Sequence, residues 1–204
     1  RCTFDRVPVF ASGGMFLDCT FTGLASPGIG TTHAFSTWGN RGPLALVGCT
    51  FDGTDRGPVL NITGGDITEP LLYGITCRNI SHVNGGNELL CVEKRADAAL
   101  SARIEKPLIM GWRCYGNAGD IYIAGPMQGA LIRDVAIDCG NIVVTSDLAN
   151  SIIEDVEIRR GRIVIARPAY VTVRRCALLD RRPTRGNRTY TQPFYYDESR
   201  DRAE

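Results

Sequence analysis

The chain repeats itself, and a short fixed period admits few folds. Three segments align without gaps, Ile132–Asp138 (IRDVAID), Ile153–Arg159 (IEDVEIR) and Val173–Leu179 (VRRCALL), at offsets of 21 and 20 residues. An earlier copy, Ile109–Tyr115 (IMGWRCY), starts 23 residues before Ile132, and Leu72–Arg78 (LYGITCR) has the same pattern upstream of it. Two still earlier copies nearly match each other, Met15–Gly23 (MFLDCTFTG) and Ala45–Gly53 (ALVGCTFDG). The opening Cys2–Asp5 (CTFD) is the tail of one more. A second apolar segment follows each late copy: Asp120–Ile123, Asn141–Val144 and Arg162–Ile165 are spaced 21 residues apart. A third set passes through Met127, Leu148 and Ala169.

Each repeat thus holds two or three short strand-like pieces between Gly, Asn, Asp or Pro turns, and none holds a ten-residue amphipathic helical pattern. A four-residue strand cannot bury its apolar face alone. Stacking rung on rung at about 4.8 Å supplies a parallel hydrogen-bond ladder and a continuous core. Alternation points Val135 with Ile137, Val156 with Ile158 and Cys176 with Leu178 inward. It does the same for Ile121, Ile142 and Ile163 and for Ile123, Val144 and Ile165. The expected fold is all-β: a right-handed parallel β-helix over residues 1–180, in rungs of about 20–30 residues. Residues 181–204 form a polar, Arg-rich and aromatic tail, read as a cap on the last rung or an interaction segment.

The loose repeat, an apolar residue followed by x-x-(I/V/L/C)-x-(I/L/C)-x, resembles that of the pectin-lyase-like superfamily and matches seven places between Cys2 and Leu179. That superfamily of right-handed β-helices includes pectate lyases, polygalacturonases and bacteriophage tailspikes. The resemblance implies the shape; unrelated chemistries share it.

Charge narrows the function. Lys and Arg total 23 against 22 Asp and Glu, so neutralising nucleic-acid phosphates is not the main task, and no nucleic-acid partner is expected. No apolar run is long enough to span a bilayer as a helix, so membrane insertion is not expected. The chain opens on Arg1 in mid-repeat and is expected to be a piece of a longer protein. Of eight cysteines, Cys19, Cys49, Cys77 and Cys114 align with Ile137, Ile158 and Leu178, so they are expected to be reduced, buried packing residues in one ladder. With no C-x-x-C pair and only His33 and His82 to supplement them, neither a metal site nor any cofactor is implied. The sequons at Asn61, Asn79 and Asn187 and the Gly28-Ile-Gly30 piece are read as turn chemistry.

Outward positions hold the functional candidates. Arg133, Glu154 and Arg174 form one column, Asp134, Asp155 and Arg175 the next, then Tyr115, Asp138 and Arg159. One reading is a solvated face whose charges pair across rungs. The other is a carbohydrate cleft, in which Asp134, Asp138, Asp155 and Glu157 supply general acid and base and Arg113, Tyr115, Arg159 and Arg175 bind the glycan. The sharper signatures of glycan-cleaving β-helices are absent: there is no Asp-Asp, Gly-His-Gly, Asp-Pro-His-Gly or Arg-x-Pro-x-x-Arg, and Asp180–Arg185 (DRRPTR) approaches the last only superficially. Tyr122, Val143 and Val164 alternate with the inward isoleucines and are expected to form an exposed apolar interface. Between Leu72 and Ile109 lies an insertion, with Glu88, Glu93 and Asp97 as exposed candidates.

The expectation is a structural and host-surface glycan-binding module of a phage tail spike, tail fibre or similar virion protein. Its partners would be a cell-surface polysaccharide and copies of itself, as a homotrimer, or other virion subunits. Its location would be the virion or a cell surface. A polysaccharide lyase or hydrolase and a bacterial surface adhesin are the alternatives.

Overall fold

The computed structural model describes residues 1–23, 34–38, 42–53, 59–63, 65–80, 88–92, 102–116 and 119–180. Every strand pairing in it is parallel, and each rung of the chain hydrogen-bonds to the rung before and after it. The chain is a parallel β-helix, all-β among the described residues. Corresponding positions run Met15, Ala45, Leu71, Leu108, Leu131, Ile152 and Thr172, which sets successive rungs at 30, 26, 37, 23, 21 and 20 residues. The 37-residue interval is therefore one rung with insertions. Its Asn84–Asn87, Glu93 and Asp97 lie outside the described residues, while Glu88 opens the strand Glu88–Val92. The tail after Asp180 also lies outside them.

Four stacks of strands line the rungs. Sheet A stacks Gly14–Leu17, Leu44–Val47, Leu71–Tyr73 and the first part of Leu108–Cys114, then 131–133, 152–154 and 172–174. Sheet B follows round a corner, from Thr3–Asp5 through Thr20–Thr22, Thr50–Asp52 and Thr76–Arg78 to Ala177–Asp180. Sheet C stacks Phe35–Trp38, Leu60–Thr63, Glu88–Val92, Asp120–Ile123, 142–144 and 163–165. Sheet D is the shortest, from Gly65–Thr68 and Ala102–Glu105 through Met127–Gln128 to 167–169. Ile142–Arg160 runs as one continuous strand through all four, a whole rung in 19 residues.

The corner from sheet A to sheet B is a left-handed backbone bend repeated at Asp18, Gly48, Gly74, Gly111, Asp134, Asp155 and Arg175, with φ between 49° and 68°. Glycine meets that geometry without steric cost, and aspartate tolerates it better than most residues. A second glycine requirement governs the turn into sheet C. A Cβ on Gly161 would land on the carbonyl oxygen of Gly140, and one on Gly140 on that of Gly119. Beside this column Asp120 Oδ1 accepts 2.8 Å bonds from the backbone and side-chain amides of Asn141, whose own Oδ1 accepts from the Arg162 amide at 3.0 Å. Turn satisfies turn, rung by rung, as buried backbone polar groups require.

The core is one continuous file of side chains. Its register corrects the expected cysteine ladder. Phe21 stacks on Phe51, Phe51 on Cys77, Cys77 on Cys114, and Cys114 on Ile137, Ile158 and Leu178. Cys19 and Cys49 belong to a different column, the one just past the corner, shared with Ile75, Trp112, Val135, Val156 and Cys176. Counting from the repeated turn places them there: each is the residue that directly follows its left-handed corner, as Ile75 follows Gly74 and Trp112 follows Gly111. These five cysteines are buried, so their packing role holds in two columns rather than one. The set through Met127 also shifts: Leu148 pairs Pro168, and Ala149 pairs Ala169, because a bulge between Val144 and Asp147 displaces the register.

Candidate functional site

Sheet B turns a polar face outward. Thr3, Thr20, Thr50, Thr76, Arg113, Ala136, Glu157 and Ala177 stack in register. Beside them run Asp5, Thr22, Asp52 and Arg78, held by the Thr22 hydroxyl donating to Asp5 at 2.8 Å and Arg78 donating to Asp52 at 2.8 Å. Further along, Tyr115 is exposed, and Asp138 accepts the Gly116 amide at 2.9 Å and faces Arg159 at 3.8 Å. Gly116, Asp138, Cys139, Arg159 and Arg160 line an open cavity of about 240 Å³. Its size suits a single small polar group rather than a drug-sized ligand.

The structure brings most of the sequence candidates to this flank, but into two different settings. Asp134, Asp155 and Arg175 are the A/B corner residues themselves. Their side chains serve inter-rung pairing. Arg113 Nη2 donates to Asp134 Oδ1 at 2.7 Å, and its Nη1 donates to the Asp134 carbonyl at 2.7 Å. Arg175 grips Asp155 with two bonds, 2.6 Å to Oδ1 and 3.0 Å to Oδ2. Glu154, with its side chain only 6% exposed, receives Arg174 at 2.7 Å, Arg175 at 2.8 Å and Arg133 at 3.4 Å. The Arg174 hydrogen bond holds the Glu154 carboxyl below its ordinary range, and the Arg175 bonds do the same to Asp155. A general acid needs its pKa raised toward the working pH, so Asp155 is poorly suited to that role. The sequence pattern shows the Arg133, Glu154 and Arg174 column but not that Glu154 is the hub.

Asp138 and Glu157 stand apart from this network. They lie on adjacent rungs and two positions apart on the outer face of sheet B, which sets their backbones roughly 8 Å apart by strand and rung spacing.

The expected exposure of the sheet C column is not found. Tyr122, Val143 and Val164 do form one column, Cα opposite Cα, alternating with the inward isoleucines. Val143 and Val164 are nevertheless buried, at 0% and 1% exposure, outside the main core cluster, and Tyr122 is half-buried. Ser36 and Asn61, which precede them on the same outer face of sheet C, are buried as well. That face is closed to solvent, as parallel sheets usually are on both sides. Burial also removes Asn61 as a glycan acceptor, and the Asn79 amide is committed to Asp52 at 2.7 Å.

The exposed apolar surface lies instead on sheet A. Met15, Ala45, Leu71, Leu108, Leu131 and Ile152 form one outward column, and Leu17, Val47, Tyr73 and Met110 form the start of the next. Runs such as Met15-Phe16-Leu17 and Leu108-Ile109-Met110 carry this signal in the sequence: an apolar strand without alternation is apolar on both faces.

Among the described residues, no three His, Cys, Asp or Glu side chains converge as metal ligands. No family model matches the chain, and no match was found among curated proteins or solved structures.

Proposed function

We propose that the chain is a glycan-binding structural module of a host-surface-recognising assembly, of the phage tail spike or tail fibre kind. The observation that carries this reading is the outer face of sheet B. It is a flat polar track of four stacked threonines leading to Arg113, Tyr115, Asp138, Glu157 and Arg159, with a small cavity at that end. Hydroxyls repeating at about 4.8 Å suit a linear polymer of hydroxyl groups, and an exposed Tyr beside Arg supplies an aromatic face and a fork for carboxylated sugars. Carboxylates already paired with arginine favour recognition over chemistry. Glycan arrays and affinity electrophoresis with acidic bacterial polysaccharides test it. Binding that Arg113→Ala and Tyr115→Ala each weaken about tenfold is expected; no binding across the panel, or binding indifferent to both changes, overturns it.

A second reading rests on Asp138 and Glu157, two carboxylates on adjacent rungs of the same outward face, the pairing of groups that glycosidases use as acid and base. In that case Glu157, exposed and outside the arginine network, acts as one member of an acid–base pair across the bound chain. Release of reducing ends that Glu157→Gln abolishes would establish it; an unsaturated-uronate absorbance would point to elimination instead.

A further inference from the structure

We propose that Cys77 and Cys114 are a disulfide-forming pair that staples the third rung to the fourth, a covalent tie across the longest interval of the solenoid. The inference rests on the core register and is independent of the glycan reading of sheet B.

Two neighbours in an interior column can be bridged only if their backbones and their sulfurs both meet. The backbones do. Cys77 stands directly opposite Cys114 on parallel strands, and the Tyr115 amide donates to the Cys77 carbonyl at 2.9 Å. Opposed residues on such strands lie about 4.8 Å apart at Cα, inside the roughly 4.4–6.8 Å span of disulfides. The sulfurs meet as well: both side chains are buried, and the two thiols are hydrogen-bonded to each other. Cys19 and Cys49 also stack on adjacent rungs, but their thiols turn to backbone carbonyls, Cys19 to Leu17 and Cys49 to Phe16, both at 3.4 Å. Reduced packing residues are expected from the sequence at all four positions; at Cys77 and Cys114 the register supplies a partner for covalent chemistry.

The position is where a bridge gives most. Cys77 and Cys114 are 37 residues apart, against 21 and 20 for the last two intervals, so closing this rung restricts the most chain. The ladder is also short at this step. Thr76 and Cys77 pair with Arg113 and Cys114, whereas three residues pair at each of the earlier steps of sheet B. A cross-link takes freedom from the unfolded chain, and the gain grows with the length of chain enclosed.

The setting of Cys114 decides when the bridge forms. Its thiol is held well above the ordinary thiol range, first by the hydrogen bond with Cys77 and then by burial. The thiolate is the attacking species, so the folded pair exchanges slowly, and the bridge is made while the rung is still open. One cysteine thiolate attacks a small-molecule disulfide, such as glutathione disulfide, and releases one thiol. The second cysteine then displaces the other. One S–S bond breaks and one forms; the cysteine sulfurs are oxidised, and the small disulfide is reduced to two thiols that take up the two cysteine protons.

The test uses the full chain, unfolded in urea and refolded by dilution into mixed reduced and oxidised glutathione. Chain synthesised cell-free in the same mixture is mapped in parallel, so the result does not hang on refolding. Remaining thiols are alkylated, and trypsin is applied without reductant. Cys77 and Cys114 are the only cysteines of tryptic peptides 57–78 and 114–133, so the bridge reads as one joined mass. That joined pair is expected, and dithiothreitol should separate it quickly in urea and slowly in the folded chain. The bridged chain should have a folding constant about a hundredfold above that of the reduced chain, read from urea titration. A Cys114→Val variant, apolar where the column continues as Ile137, should fold and lose that difference. Four outcomes overturn the proposal: both cysteines alkylated in chain with a native circular dichroism spectrum, either one joined to a different cysteine, a bridged chain that is misfolded or no more stable than the reduced one, or a difference that Cys114→Val retains.

Discussion

The first four rungs and the last three are built on one backbone plan and dressed differently. At the start of the early rungs the sheet B interior is aromatic, with Phe21 stacked between Phe4 at 5.0 Å and Phe51 at 4.6 Å, before the column passes to Cys77 and Cys114. In the late rungs the same column is Ile137, Ile158 and Leu178. The early corners are mostly glycine, at Gly48, Gly74 and Gly111; the late ones are Asp134, Asp155 and Arg175, all at a similar left-handed φ. Outside sheet A the early rungs are apolar and the late ones are knit by Arg133, Glu154, Arg174 and Arg175. The ladder of backbone bonds fixes the shape, and the interior asks only for apolar bulk. Non-glycine corners cost backbone energy, about 1 kcal/mol each, and the late rungs use the side chains placed there to tie one rung to the next. Among the described residues, the outward sheet A positions of the early rungs are apolar and form no such ties.

The sharpest way to break this comparison is at glycines, where backbone geometry alone decides. Gly161→Ala would drive a methyl group into the Gly140 carbonyl, and Gly140→Ala would do the same to Gly119. Each is expected to unfold the late rungs, a loss beyond about 4 kcal/mol. Gly116, also at positive φ but with nothing within 4 Å of where an alanine methyl would sit, should lose only about 1 kcal/mol as alanine. Urea titration of the three variants checks it. Equal losses would mean that φ, not rung-to-rung approach, sets the requirement.

Much of this is legible in the sequence. The 21-residue period in Ile121, Ile142 and Ile163 carries the register that the pairings show, because a rung without insertions keeps a constant length. Where rungs differ in length the alignment slips. Cysteine identity sets Cys49 against Cys77, although Cys77 stands three residues past its corner glycine, Gly74, and Cys49 directly follows Gly48. Asp134, Asp155 and Arg175 do form one column, but sequence alone does not reveal a left-handed φ, so a turn requirement resembles a cluster of catalytic groups. Alternation likewise assigns the valines of sheet C to an outer face. It tells the side of a strand and says nothing of what lies over it, which is why the exposed stripe falls on a different sheet from the one alternation suggests.

The interior column offers a test of intermediate size. If it asks only for apolar bulk, the penalty should follow the volume removed and not the half of the molecule. Phe51→Ala, which removes the fully buried inner end of the aromatic stack, should cost about 3–4 kcal/mol, and Ile158→Val about 1 kcal/mol. The companion Phe51→Leu should recover most of the loss, since volume-conserving apolar exchanges are well tolerated. A Phe51→Leu as damaging as Phe51→Ala would show that ring stacking itself, and not bulk, holds the early rungs.

The smallest effect separates the halves by pH. Glu154 and Asp155 have their carboxyls pulled below the ordinary values of 4.5 and 3.8, first of all by hydrogen bonds from Arg174 and Arg175. A carboxylate whose folded pKa is depressed gives stability that is present above its unfolded pKa and lost as pH falls through the folded one. The late rungs should therefore hold full strength at about pH 6, begin to weaken below about pH 4–5, and keep weakening as the pH drops further. A Glu154→Gln, Asp155→Asn variant should melt lower than the natural chain at about pH 6, and the gap should close on acidification as the natural chain loses the charges that the variant lacks. Salt should narrow the gap as well, more for Asp155, a third of whose side chain is exposed, than for the enclosed Glu154. Melting followed by circular dichroism from about pH 2.5 to 7 at constant ionic strength, the span in which carboxylates titrate, reads the gap directly. A gap that stays constant with pH would mean that these arginines hold the carboxylates by packing and not by charge, and the contrast between a charge-tied half and an apolar half would fail.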